Sequence, residues 1–239
     1  IVNENFVKEC GGWKVDGSVA EKFDAMLHNS IPSYNELSYL LYAIGNHFID
    51  KGKVIDLGCG TGTTIERLIK SNADFYLFDN SVPMLEKCRE RFLDMPNVHI
   101  KNHDIRDGIP TLDNVSLIVS CLTLQFVPIE YRQMLLSQIY DILNPGGAFI
   151  FVEKVICNSW QIDSIITEEY YNLKREFYTE EQIQRKRLSL EGSLVPVTMD
   201  MNIQMLKSSG FSKVDVFWRS LNFCGFLALK QLRTDCKSD

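Results

Sequence analysis

The chain has 239 residues, of which 45% are apolar and 23% charged, with a net charge of −6. That length suits one α/β domain carrying an added lobe, since domains run about 100–200 residues and α/β folds often exceed that. The composition excludes a disordered or fibrous chain. The acidic balance and the lack of a basic stripe argue against direct nucleic-acid binding; the basic clusters, Lys174-Arg175 and Arg185-Lys186-Arg187, are short and lie among acids. No apolar run reaches bilayer length, and no leader pattern is visible.

Seven cysteines (positions 10, 59, 88, 121, 157, 224 and 236) are scattered and form no C-x-x-C. This pattern predicts reduced thiols in a cytoplasm, not a disulfide frame or a zinc site. The four histidines, His28, His47, His99 and His103, show no metal-ligand spacing.

Residues 1–19 read as a polar arm with Trp13 as its one large anchor. Helical apolar spacing follows over 19–27 and 34–48, broken at Ser30-Ile-Pro32. Strand and helix signals then alternate: strand 53–57, helix 63–70, strand 74–79, helix 81–92, strands 97–101 and 115–120, helix 130–143, strand 148–153. Ser81-Val-Pro83 is a helix start, and Asn144-Pro-Gly-Gly147 is a turn. Alternation of this kind predicts a mostly parallel sheet covered on both faces. Residues 158–193 predict a charged, tyrosine-rich helical insert. A helix over 200–208 and two β-rich runs, 213–218 and 222–230, close the fold as an antiparallel hairpin. The expected division is an N-terminal arm with helices (1–50), a Rossmann-like domain (51–232) and a tail (233–239).

The most informative stretch is Lys53-Val-Ile-Asp-Leu-Gly-Cys-Gly-Thr-Gly-Thr63. An apolar strand runs into a turn with Gly58, Gly60 and Gly62, whose missing Cβ atoms allow close approach of a ligand. A glycine pattern alone also fits a dinucleotide enzyme or a bland tight turn. Here Asp56 precedes the turn and Asp79 closes the next strand, about 20 residues on, the spacing of an acid that holds ribose hydroxyls. D-L-G-C-G-T-G with a downstream F-D-N resembles the S-adenosylmethionine (SAM) site of Rossmann-like methyltransferases. In that reading the Gly58-Cys59-Gly60 turn takes the methionine part, Asp79 the ribose with Asn80 beside it, and Asp104-Ile105 the adenine. Cys121 should face the reaction cavity as lining. No nucleophile with a paired base emerges.

A more specific resemblance covers about residues 12–230. Ser30-Ile-Pro-Ser-Tyr34, Asp104-Ile-Arg-Asp107, Leu122-Thr-Leu-Gln-Phe126, Leu143-Asn-Pro-Gly-Gly147, Glu153-Lys154, Lys186-Arg187 and Leu221-Asn-Phe223 are together similar to the carboxy-SAM synthases, relatives of the class I SAM methyltransferases. The resemblance implies a SAM-dependent transferase that converts SAM and prephenate to carboxy-SAM and phenylpyruvate. It makes Tyr34 a cofactor contact and Arg187 the cation facing the new carboxylate, a role suited to a guanidinium's bidentate fork. It also implies a cytoplasmic homodimer, for which Tyr170, Tyr171, Phe177 and Tyr178 offer aromatic surface. The product would feed carboxymethyl transfer to a tRNA wobble uridine or a secondary-metabolite pathway. Two departures, Gly60 where the family often has serine and Cys121 where it has asparagine, favour the alternative, a SAM-dependent methyltransferase of small molecules. A non-catalytic binding module is the third reading.

Overall fold

The computed structural model describes residues 17–69 and 73–232; the expected N-terminal arm and C-terminal tail lie outside these residues. Eight strands form a sheet of order β3-β2-β1-β4-β5-β8-β7, with β6 (Val197–Thr198) pairing β5. β1 (Lys53–Leu57), β2 (Phe75–Asp79), β3 (Val98–Asn102), β4 (Val115–Cys121) and β5 (Leu143–Ile156) run parallel. β7 (Lys213–Ser220) and β8 (Phe223–Leu229) add the expected antiparallel hairpin. The fold is that of the class I SAM methyltransferases.

The strand order decides where a ligand binds. From β1 the chain moves outward through β2 and β3, then crosses to β4 on the other side of β1. The crevice at such a switch point opens at the carboxyl ends of β1 and β4. The predicted site residues that follow or close the first three strands all lie at the carboxyl ends of those strands, on the same edge of the sheet.

Both faces of the sheet are covered, so β4 is mostly apolar and buried up to Cys121, Ser116 and Ser120 included, as parallel strands require. On one face pack α1 (Gly17–Ser30) and α2 (Tyr34–Gly45), contributing Leu27, Ile31, Tyr34, Leu37 and Leu41 to the cluster that holds Val54, Leu117 and Val152. The N-terminal helices thus share the core of the sheet. Full burial of Leu37 and Leu41 stabilises that union by roughly 1.5–3 kcal/mol each. On the other face, α4 (Ile129–Ile142) and α7 (Met199–Ser208) bury Leu135, Leu136, Ile139 and Leu206 against Ile118 and Phe149. α3 (Val82–Arg91) joins β2 to β3 with its proline in the first turn. The insert is α5 (Trp160–Arg175) and α6 (Glu180–Leu190), the latter opened by a Thr179–Gln182 capping box.

Two local expectations change. The expected helix over 63–70 is a succession of turns across the described residues 63–69. Ile65 N–H bonds Gly62 O and Leu68 N–H bonds Ile65 O, i→i+3 contacts in place of the α ladder. Two β-branched threonines open this stretch, and Thr64 is drawn to the Tyr34 and Cys121 side chains. The Asn144-Pro-Gly-Gly147 turn is absorbed into β5 as an irregularity: Val115 pairs Leu143, and the ladder resumes at Leu117 with Ala148.

Candidate active site

The glycine turn is fixed from below by backbone. Gly58 and Cys59 N–H both donate to Phe78 O, at 2.8 and 3.0 Å. Gly58 has φ +73°, and a Cβ there would lie 2.2 Å from Thr123 Oγ1. Only glycine fits that contact, which packs the turn against the loop after β4. Gly60, φ +55°, lies under the Phe23 ring of α1, 3.2 Å from where a Cβ would stand.

Asp79 clamps the turn from β2. Its Oδ2 accepts from Gly60 N–H at 2.9 Å and its Oδ1 from Ser81 N–H at 2.8 Å. Burial raises its pKa, while those amides and that of Asn80 pull the other way. An ionised carboxylate has about four acceptor positions, so these amides leave capacity for a ribose hydroxyl. Asn80 Nδ2 donates to Asp104 Oδ2 at 3.1 Å. Asp104 is also gripped by Arg106 through its guanidinium and backbone N–H, which holds its carboxyl well below the usual range. Ile105 beside it is buried. The structure therefore brings Gly58, Cys59, Gly60, Asp79, Asn80, Asp104 and Ile105 together at one edge of the sheet.

Asp56 lies deeper. It is 1% exposed, and its Oδ2 has no hydrogen-bond partner. Burial, then the charge of Asp79, pushes its pKa up to about 8. A buried acid with a spare oxygen, beside a turn held open by positive-φ glycines, fits a ligand carrying ammonium and sulfonium charge. These residues can hold SAM.

Tyr34 and Cys121 meet on the opposite wall. Burial first, and then the Cys121 thiol, raises the Tyr34 phenol, while Thr64 favours its ionisation. The Cys121 thiol is itself pushed far up by burial, with Asp56 and Glu153 adding to the effect. A thiol so protonated is no nucleophile.

Arg187 stands apart. It is exposed on α6 and makes no hydrogen bond or ion pair among the described residues. Its neighbour Lys186 turns inward instead, with Nζ 3.7 Å from Met26 Sδ on α1.

Several contributors carried no role in the sequence reading. Glu153 is buried, accepts from Leu124 N–H at 3.0 Å, and is raised by burial to about 8 despite nearby Arg132. Gln125 Oε1 accepts from Lys154 N–H at 2.9 Å. Together they fix the loop that sets Thr123 under Gly58. A second strap ties α1 to the turn: Thr61 Oγ1 donates to Asp24 at 2.6 Å, and Arg91 binds Thr61 O, Asp24 and Glu66. The Glu153-Lys154 and T-L-Q-F stretches were visible in sequence, but only tertiary contact gives them a task. Among the described residues no group of three or more His, Cys, Asp or Glu could hold a metal, and no helix is long and apolar enough to cross a membrane.

A family model described as a methyltransferase domain matches residues 54–147. The chain is 38% identical over 222 residues to the carboxy-S-adenosyl-L-methionine synthase of Methylococcus capsulatus, covering 89% of this chain and 91% of that protein. It is 35% identical to the synthase of Nautilia profundicola, covering 91% and 94%. Among solved structures, the CurJ carbon methyltransferase matches with a TM-score of 0.64 at 14% identity, over 91% of this chain and 61% of that one. Phosphoethanolamine N-methyltransferase 2 of Haemonchus contortus, in complex with S-adenosyl-L-methionine, matches with a TM-score of 0.62 at 14% identity. This chain covers 90% of its own length there and 57% of that enzyme's, so these likenesses speak for the fold alone.

Proposed function

We infer the activity from one premise: the chain belongs to the carboxy-S-adenosyl-L-methionine synthase family. It is a SAM-dependent enzyme, and our reading is that it makes carboxy-SAM and phenylpyruvate from SAM and prephenate. The observation that carries this is the family match along about nine-tenths of the chain, which takes in the insert as well as the cofactor half. A sulfonium supplies an acidified methyl carbon on which carbon dioxide can be captured. The balance needs no further reagent: prephenate yields carbon dioxide and its ring hydroxyl, and the hydroxyl leaves as water with the methyl proton.

In this reading the chain's residues bind and orient. Gly58, Cys59 and Gly60 take the amino-acid end, Asp79 and Asn80 the ribose, Asp104 and Ile105 the adenine. Tyr34 and Cys121 close the wall. The thiol and phenol stay protonated, so that wall carries no negative charge into a site in which positioning supplies most of the advantage. Arg187 is assigned the product carboxylate by the family resemblance. Its exposure on α6 means that a second chain or movement of the insert must complete its site. A homodimer fits the exposed apolar groups of the insert: Trp160 is 77% and Ile165 62% exposed. The expected aromatic contact shifts accordingly, because Tyr170 is buried in its own core. The five described cysteines are unpaired, which suits a cytoplasmic setting.

Mass spectrometry of the nucleoside released from purified protein tests the reading. A species heavier than SAM by one carbon dioxide is expected. SAM or S-adenosylhomocysteine alone would favour the small-molecule methyltransferase to which Gly60 and Cys121 point.

A further inference from the structure

Lys154 and Lys174 lie 20 residues apart in sequence and meet at one ring. Lys154 Nζ is 4.8 Å and Lys174 Nζ 5.5 Å from the Tyr170 centroid, and Lys174 Nζ is also 5.7 Å from that of Tyr178. Lys174 is only 7% exposed and Lys154 half-buried. Neither ammonium has a side-chain hydrogen bond or ion pair among the described residues, and each keeps some contact with solvent. The acid that acts on Lys154 is Asp163, whose Oδ1 accepts from Cys157 N–H at 2.7 Å. Lys174 feels burial and the like charge of Lys154, which lower it to about 8. Burial, and then the like charge of Lys174, lowers nearby Lys186 in turn. Clustered, largely buried cations are unfavourable unless an anion joins them, and the ring faces offset only part of that cost.

Their position gives the cluster a purpose. Cys121 pairs Val152 in the parallel ladder, and Lys154 follows two residues on, so it shares the Cys121 face at the carboxyl edge of the sheet. Tyr170 belongs to the apolar cluster that holds Tyr34 and Cys59. α6 reaches α1 through Lys186 and Met26, and α1 covers Gly60 through Phe23. The cations therefore line the roof beside the glycine turn, on the side away from Asp79 and Asp104.

We propose that Lys154 and Lys174, with the Tyr170 ring between them, bind the carboxylates of the second substrate, a small unsaturated dicarboxylate. Two ammonium groups match two carboxylates, and the Tyr170 and Tyr178 rings match an unsaturated carbocycle. The proposal rests on the synthase reading for the identity of that dianion, and names the residues that select it over neutral acceptors.

The test uses the full chain and the variants Lys154→Met, Lys174→Met and Lys174→Arg. Prephenate binding is measured by calorimetry on protein saturated with S-adenosylhomocysteine, alongside S-adenosylhomocysteine affinity and Tm. Each Met variant should weaken prephenate at least tenfold, leave S-adenosylhomocysteine within twofold, and raise Tm, because an uncompensated buried charge is gone. Lys174→Arg should recover most of the prephenate affinity. A lowered Tm with both ligands weakened in parallel would make the lysines structural, and unchanged prephenate binding in both Met variants would overturn the site. Wild-type protein that fails to bind prephenate also overturns it. Wild-type protein that binds prephenate through these lysines but forms no carboxy-SAM would overturn the synthase reading and leave the site standing.

Discussion

Replacing Asp56 with asparagine should stabilise the ligand-free protein while weakening SAM, an opposition that no purely structural residue produces. The folded-state pKa of Asp56 is pushed up to about 8 from 3.8. Between those values the unfolded chain has released a proton that the folded chain still holds. Stability from this group is therefore greatest below about pH 4, falls as pH rises, and levels off above about pH 8. At pH 7 the accumulated cost is on the order of 4 kcal/mol. Asparagine removes it but buries an amide that needs its own partners, at ~1–3 kcal/mol. The net gain of a few kcal/mol should raise Tm by roughly 3–10 °C at pH 7–8 and little at pH 5. Glu153, also raised to about 8, keeps its own share of the pH slope. The Asp56→Asn, Glu153→Gln pair should therefore be flatter than either single variant. SAM binding to wild type should release protons below pH 8, read by calorimetry in buffers of different ionisation heat, and the release should shrink in Asp56→Asn. A Tm that falls in Asp56→Asn at pH 8, or a wild-type Tm independent of pH between 4.5 and 8, would refute the reasoning.

Gly58→Ala forces φ +73° on a residue with a Cβ and drives that atom to 2.2 Å from Thr123 Oγ1; strain and overpacking together cost ~2–5 kcal/mol. Its Tm should drop by several degrees and Thr123→Ala should restore part of it, whereas a wild-type Tm would mean the turn is looser than described. Arg187→Ala should weaken carboxy-SAM by a factor corresponding to ~2–5 kcal/mol and leave S-adenosylhomocysteine nearly unchanged, with Arg187→Lys intermediate. Equal weakening of both ligands would mark the arginine as structural. Light scattering should give a dimer mass that Trp160→Asp converts to monomer, and a monomeric wild type would remove the dimer.

What the sequence disclosed and what it hid divide along one physical line. The β1 turn, the place of Asp79 at a strand end and the alternation of strands were legible because each rests on local chemistry: a glycine pattern, an acid after an apolar run, periodic burial. The stretch 63–70 carries an equally helical pattern, yet Thr64 is claimed by Tyr34 and Cys121, 30 and 57 positions away. Tertiary demand there outweighs a modest local preference. Thr123 under Gly58 is likewise a contact between segments that share no sequence signal. The lysines make the point most sharply. Lys174-Arg175 reads as a short basic pair on a solvated helix, but α5 buries Lys174 and exposes Arg175. Adjacent residues on a helix point about 100° apart, so the packed face alone decides which of two cations meets water. In Lys186-Arg187 the same rule turns the lysine inward and leaves the arginine exposed. The cations that the insert and the end of β5 turn inward are thus lysines, and the guanidinium named by family resemblance needs a further contact to join them.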